Sequence, residues 1–256
     1  MKEYFGWDGY QRSAAGFMSW QHILIVTIGV LIMTGLAIFF GIKNKGKDDK
    51  AKNKVLIIAA ILIDALEIFK IILICFRAHD AMGWIRDLPL FMCSIQLITI
   101  PVAAFSKGRV REAALDFVFI FGLVGALAGT YGAGNLYGSY PAMCFDNNIS
   151  LITHCISGFC SIYIGITGLA TMKNKNIPFT LAIITVFGIL ALIANKVIDY
   201  NYMFLRRGDG TPYEVLFSLV KGNKILYPIG VMLLFYLLIV AFYVVHHLIV
   251  KKKENK

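Results

Sequence analysis

The chain has 256 residues, of which 58% are hydrophobic and only 16% charged, a balance too apolar for an ordinary soluble domain. The formal net charge is +10, but the lysines cluster between long apolar runs. There they orient spans in a membrane, and nucleic acid is not an expected partner.

Residues 1–19 are rich in aromatics, including Tyr4, Phe5, Trp7, Tyr10 and Phe17, and suit a short interfacial segment. They do not form a signal peptide, because the apolar run that follows is full length and lacks a small-residue cleavage site. Seven apolar runs of about 20 residues come next, each long enough to span a bilayer. They cover roughly 20–41, 55–76, 88–105, 113–130, 150–172, 179–199 and 226–250. The expected fold is all-α, a polytopic seven-helix bundle over residues 20–250 followed by a basic tail at 251–256. The connections at 43–54, 107–111 and 173–175 and the tail hold most of the Lys and Arg outside the spans. The positive-inside bias therefore places the N-terminus outside and the C-terminus in the cytoplasm.

The polar residues inside these runs are the candidates for function, because polar groups in hydrocarbon are costly. The stretch from Arg86 to Gln96, RDLPLFMCSIQ, opens the third run with a thiol, a hydroxyl and a carboxamide at Cys93, Ser94 and Gln96. At 1.5 Å per residue, Cys93 lies about 7 Å below the outer end of its run and His154 about 6 Å below its own. Lys70 lies about 10 Å down, and Asn195 and Lys196 about 5–6 Å. His22 stands at the outer start of the first run. Five runs thus bring polar groups to one outer layer.

Asp64, Glu67 and Lys70 are spaced by three and share one side of the second helix. Either they form a buried ion pair that locks packing, or Lys70, Glu67 and Lys196 line a polar cavity for a headgroup or a proton relay. Cys93 and His154 suit covalent chemistry, since an imidazole can take the proton of a neighbouring thiol. Gln96 and Asn195 could donate to an oxyanion. A cysteine in an apolar helix also serves simply as a small hydrophobe. The five cysteines contain no CxxC pair, so neither a disulfide framework nor a zinc site is expected. HExxH, GxSxG, P-loop and Rossmann fingerprints are absent, and no cofactor is expected.

Three segments together resemble the bacterial YwaF-type integral membrane proteins. They are FMSWQH at 17–22, LPLFMCSI at 88–95, and Asn195 followed by NYMFLR at 201–206. That family is similar to eukaryotic transmembrane lipid acyltransferases with a cysteine active centre and, more remotely, to transmembrane lipid-ester hydrolases. The resemblance implies Cys93 as nucleophile and His154 as its histidine, with Asn201 and Tyr202 in the surrounding site. It departs from the pattern at Phe91, where the family often has His, and at 129–134, where GTYGAG replaces a Thr-Pro-Asp-like segment. The leading expectation is a plasma-membrane lipid acyltransferase or lipid-ester hydrolase whose partners are membrane lipids. The alternative is a non-enzymatic binding or transport protein for a small solute or lipid headgroup.

Overall fold

The computed structural model describes residues 1–80 and 82–254. The last two residues of the expected basic tail lie outside that range. The architecture is all-α, with no strand among the described residues. Its main helices are α1 (Trp20–Asn44), α2 (Asp49–Ala78), α3 (Gln96–Phe105), α4 (Gly108–Tyr131), α5 (Phe145–Thr167), α6 (Ile177–Val197) and α7 (Leu226–Glu254). Ser19 caps α1 by accepting from the His22 amide, and Asp48 caps α2 by accepting from Ala51, each satisfying a donor the first turn leaves free.

Every expected run holds a helix, but only five segments are long and apolar enough to cross a membrane. These are Trp20–Asn44, Gly108–Tyr137, Phe145–Thr167, Asn174–Val197 and Leu226–Ile249. The two exceptions have separate physical causes. Helix α2 has 30 residues and is about 45 Å long, but Asp64, Glu67 and Lys70 interrupt its apolar character. Helix α3 has 10 residues, about 15 Å, or half the ~30 Å hydrocarbon thickness. The expected third span is unwound over 88–95. Pro89 excludes Leu88 from the helical region, and Leu88 is extended at φ −55°, ψ 141°. Cys93 and Ser94 therefore sit in a turn that precedes a helix, not inside one.

Helix α4 is the hub. One apolar core joins it to α6, α7 and the 88–95 turn, through Ile95, Phe117, Phe121, Ile184, Tyr202 and Phe235. A second joins it to α2, α3 and α5, through Leu56, Ile63, Ile100, Val118, Cys160 and Tyr163. Small residues let α4 and α5 approach closely; a Cβ added at Gly122 would lie 2.7 Å from the Ser157 carbonyl oxygen. The N-terminal segment does not lie free. Tyr4 and Phe5 pack on Leu73, Phe145 and Ile149, and Arg77 makes a bidentate pair with Asp146 at 2.7 and 2.8 Å. Tyr10 donates its hydroxyl to the same carboxylate.

The lysine-rich end is held by a different carboxylate. Asp116 on α4 is fully buried. It accepts from the amides of Thr171 and Met172, both at 3.1 Å, from Asn176 at 2.9 Å and from the Tyr243 hydroxyl at 2.8 Å. One side chain thus ties α4 to the 171–176 connection and to α7. Asp116→Ala orphans the Thr171 and Met172 amides, while Asn176 and Tyr243 keep the Thr171 and Thr180 hydroxyls, and the expected loss is several kcal/mol at about 1–3 per buried unpaired group. Tyr243→Phe removes the bond to Asp116 and the contact with the Thr180 hydroxyl, and the expected loss is about 1.5–3 kcal/mol. Thermal unfolding of the full chain in detergent measures both, and an unchanged melting temperature for Asp116→Ala would refute the clamp.

Candidate functional site

At the lysine-poor end, α2, the 93–97 segment and α5 enclose a cavity of about 70 Å³ lined by Ile63, Glu67, Lys70, Cys93, Ser94, Leu97, Ser150, Thr153, His154 and Ser157. It has room for about two waters. Four of the residues singled out in the sequence, Cys93, His154, Glu67 and Lys70, thus face one small space. Hydroxyls from Ser94, Ser150, Thr153 and Ser157 surround them.

The histidine's tautomer follows from its partners. Nδ1 lies 2.7 Å from the Ser150 carbonyl oxygen. A carbonyl oxygen only accepts, so Nδ1 carries the hydrogen and Nε2 keeps a lone pair. Nε2 is buried and makes no regular hydrogen bond. The Cys93 thiol lines the same cavity, and the Cys93 and His154 side chains interact. The turn leaves the Cys93 and Ser94 amides without a backbone acceptor among the described residues.

The charges form a triad in which the third member was not foreseen. Lys70 Nζ lies 2.6 Å from Glu67 and 3.0 Å from Asp87. Lys196, expected to line the same cavity, is exposed on α6. Asn195 turns inward, and the next residue along the helix is rotated about 100° away from it. Asp87 stood in the flagged stretch, beside Pro89, but its place on the short helical turn Gly83–Asp87 carries no periodic signal. Asp64, one turn from Glu67, joins no ion pair among the described residues.

The remaining candidates lie away from the cavity. Asn195 is buried and spends both ends of its amide on Tyr202, accepting from its amide at 2.5 Å and donating to its carbonyl at 3.0 Å. It is a loop clip and does not line the cavity. Tyr202 is fully buried and donates its hydroxyl to the Ile85 carbonyl. Asn201 holds the same loop, through the Arg207 carbonyl, Asp209 and the Arg206 amide. Nearby, the Arg206 guanidinium holds the exposed Asp199 carboxyl below its ordinary pKa. His22 is fully buried, stacks on Tyr137 at 3.9 Å, and uses both ring nitrogens, one on the Met18 amide and one on the Thr130 carbonyl. Its role is to fasten the start of α1. Gln96 is fully buried, accepts from the Thr99 hydroxyl at 3.1 Å and leaves its Nε2 unpaired, but it does not line the cavity. No cluster of three or more His, Cys, Asp or Glu side chains suited to a metal ion occurs among the described residues.

The model of the TMEM164 family matches residues 17–246, so the chain belongs to the TMEM164 family, a family of membrane proteins. No curated protein and no solved structure matches the chain.

The triad makes a direct prediction. Lys70→Met leaves Glu67 and Asp87 facing each other without a counter-charge. Breaking a buried ionic cluster from one side costs about 3–5 kcal/mol, and the partial exposure of these side chains reduces that to a few. The melting temperature should fall for Lys70→Met and recover in Lys70→Met combined with Asp87→Asn. A single variant that melts like the wild type would mean that water, not Lys70, balances the carboxylates.

Proposed function

We propose that the protein is a lipid acyltransferase or lipid-ester hydrolase that works through an acyl thioester on Cys93. The observation that supports this most is the buried, unpaired Nε2 of His154 beside the Cys93 thiol, with Nδ1 fixed on a backbone carbonyl. A buried acceptor without a partner is costly, and an attacking thiol's proton would satisfy it.

In this reading the Cys93 sulfur attacks the ester carbonyl carbon of a membrane lipid while its proton passes to His154 Nε2. In the same reading the amides of the Cys93 turn, which have no backbone acceptor among the described residues, receive the oxyanion in the place expected for Asn195. Collapse breaks the ester C–O bond, and Nε2 returns the proton to the departing alcohol. A second alcohol, or water, then gives its proton to Nε2 and attacks the thioester carbon, releasing a new ester or an acid and restoring the thiol. The cavity accommodates the reacting ester group, while the head and tails of a lipid remain outside it.

We place this chemistry in the plasma membrane, with α2 and the half-length α3 completing a seven-segment bundle, the N-terminus outside and the C-terminus in the cytoplasm. The Lys distribution supports that orientation. The cavity then opens toward the outer leaflet, and the acyl donor is a phospholipid or another membrane ester, since coenzyme A esters are cytoplasmic. The second reading, a binding or transport protein, draws on the Glu67–Lys70–Asp87 triad.

A lipid-shaped, thiol-reactive probe should label the wild type and not Cys93→Ser. His154→Ala should slow the labelling by about 100-fold, in line with loss of a general base. Solute uptake that survives Cys93→Ala but fails in Glu67→Gln or Lys70→Met would favour transport instead. A C-terminal reporter fusion should read out in the cytoplasm, and an external signal would reverse the orientation.

A further inference from the structure

We propose that Gly129 is a positioning residue for the Cys93–His154 pair: its bare backbone is the surface on which the imidazole rests with Nε2 turned to the thiol. This rests on the acyl-thioester reading above. A Cβ added at Gly129 would lie 2.1 Å from His154 Nε2 and 2.2 Å from its Cδ2. These are distances at which an atom must move, and the atom concerned is the one that would carry the proton.

The requirement is space, not conformation. Gly129 is inside α4 with helical backbone, where glycine is less stable than alanine. Any side chain could adopt that geometry, and none could share the volume. One turn back, Gly125 stands under the partner: a Cβ there would meet the Cys93 Cα and Cβ at 3.6 Å, an ordinary contact. Residues 125 and 129 share one face of α4. That face therefore carries both the turn with the thiol and the ring with the base, and it fixes their separation. The ring cannot swing aside without loss, because Nδ1 is held by Ser150 at 2.7 Å. A methyl group at 129 must either break that bond or turn Nε2 from the sulfur.

The test is site-resolved alkylation of Cys93 by a small maleimide, read by peptide mass spectrometry on the full chain in detergent across a pH series. Gly129→Ala should slow Cys93 modification at least about ten-fold and give the pH profile of His154→Ala. Adding Gly129→Ala to His154→Ala should change nothing further, since two changes acting through one group do not add. Gly35→Ala is the control: that glycine lies mid-helix in α1 with open space around it, and modification should stay at the wild-type rate.

A wild-type rate and profile for Gly129→Ala, with His154→Ala depressed, would overturn the proposal, and so would effects that multiply. If His154→Ala itself leaves both rate and profile unchanged, the Cys–His reading fails first. Should Gly129→Ala not fold, the double variant decides. Folding restored by removing the ring supports the proposal, and a double variant that also fails to fold refutes it.

Discussion

The lysine-poor half of the molecule depends on one constraint: residues 88–95 are unwound inside an otherwise helical, apolar bundle. Peptide groups outside a helix are tolerated at membrane depth only where protein satisfies or encloses them. Here the enclosure comes from three directions. Tyr202 donates to the Ile85 carbonyl just before the break, and Lys70 holds Asp87. Phe91 packs against Tyr200, Tyr202 and Phe204 at ring separations of 6.2, 5.5 and 5.7 Å. The Tyr202 clamp is itself held by Asn195, so α6 supports the Cys93 turn without touching the cavity. Phe91, which departs from the pattern of the resembling family, fills this aromatic wall as a packing residue.

Polar groups among the described residues of this chain differ in kind, and the distinction is one of satisfaction. Asp116, His22 and Asn195 have their hydrogen-bonding capacity met by named partners on neighbouring segments. Such groups rigidify a core, and each ties together elements that apolar packing alone would leave free to slide. His154 differs. One nitrogen is committed to the backbone and the other is held, unpaired, beside a thiol. The ion triad is of a third type. It sits on the cavity wall with its charges partly matched, two carboxylates to one ammonium, and it anchors the loop that leads into the Cys93 turn.

The glycines of α4 connect packing to this site. Gly122 admits the α5 backbone, Gly125 the Cys93 turn and Gly129 the imidazole. In the sequence the segment at 129–134 was visible only as a departure from a family pattern. At Gly129 its physical meaning is clearance, and clearance is a property of what lies opposite, the turn before α3 for Gly125 and helix α5 for Gly122 and Gly129. No local periodicity could signal it.

What the sequence determined by itself is the class of the protein: an all-α membrane chain, the approximate place of each helix, and a set of polar residues within the apolar runs. Hydrophobic run length and charge placement are local properties and translate directly into spans and layers. His154, Glu67 and Lys70 were legible for that reason, since position along a helix follows from counting residues, whereas Cys93 was legible only as a polar residue in an apolar run, because its turn has no helical rise. Which way each side chain faces was decided by the tertiary structure. Rotation about the helix axis sends Lys196 outward and Asn195 inward, Pro89 unwinds a run that reads as continuous, and Asp87 reaches Lys70 only because a short turn folds back on α2. Depth is set by one helix and the bilayer, whereas facing and clearance are set by pairs of elements, and only the packed bundle specifies those pairs.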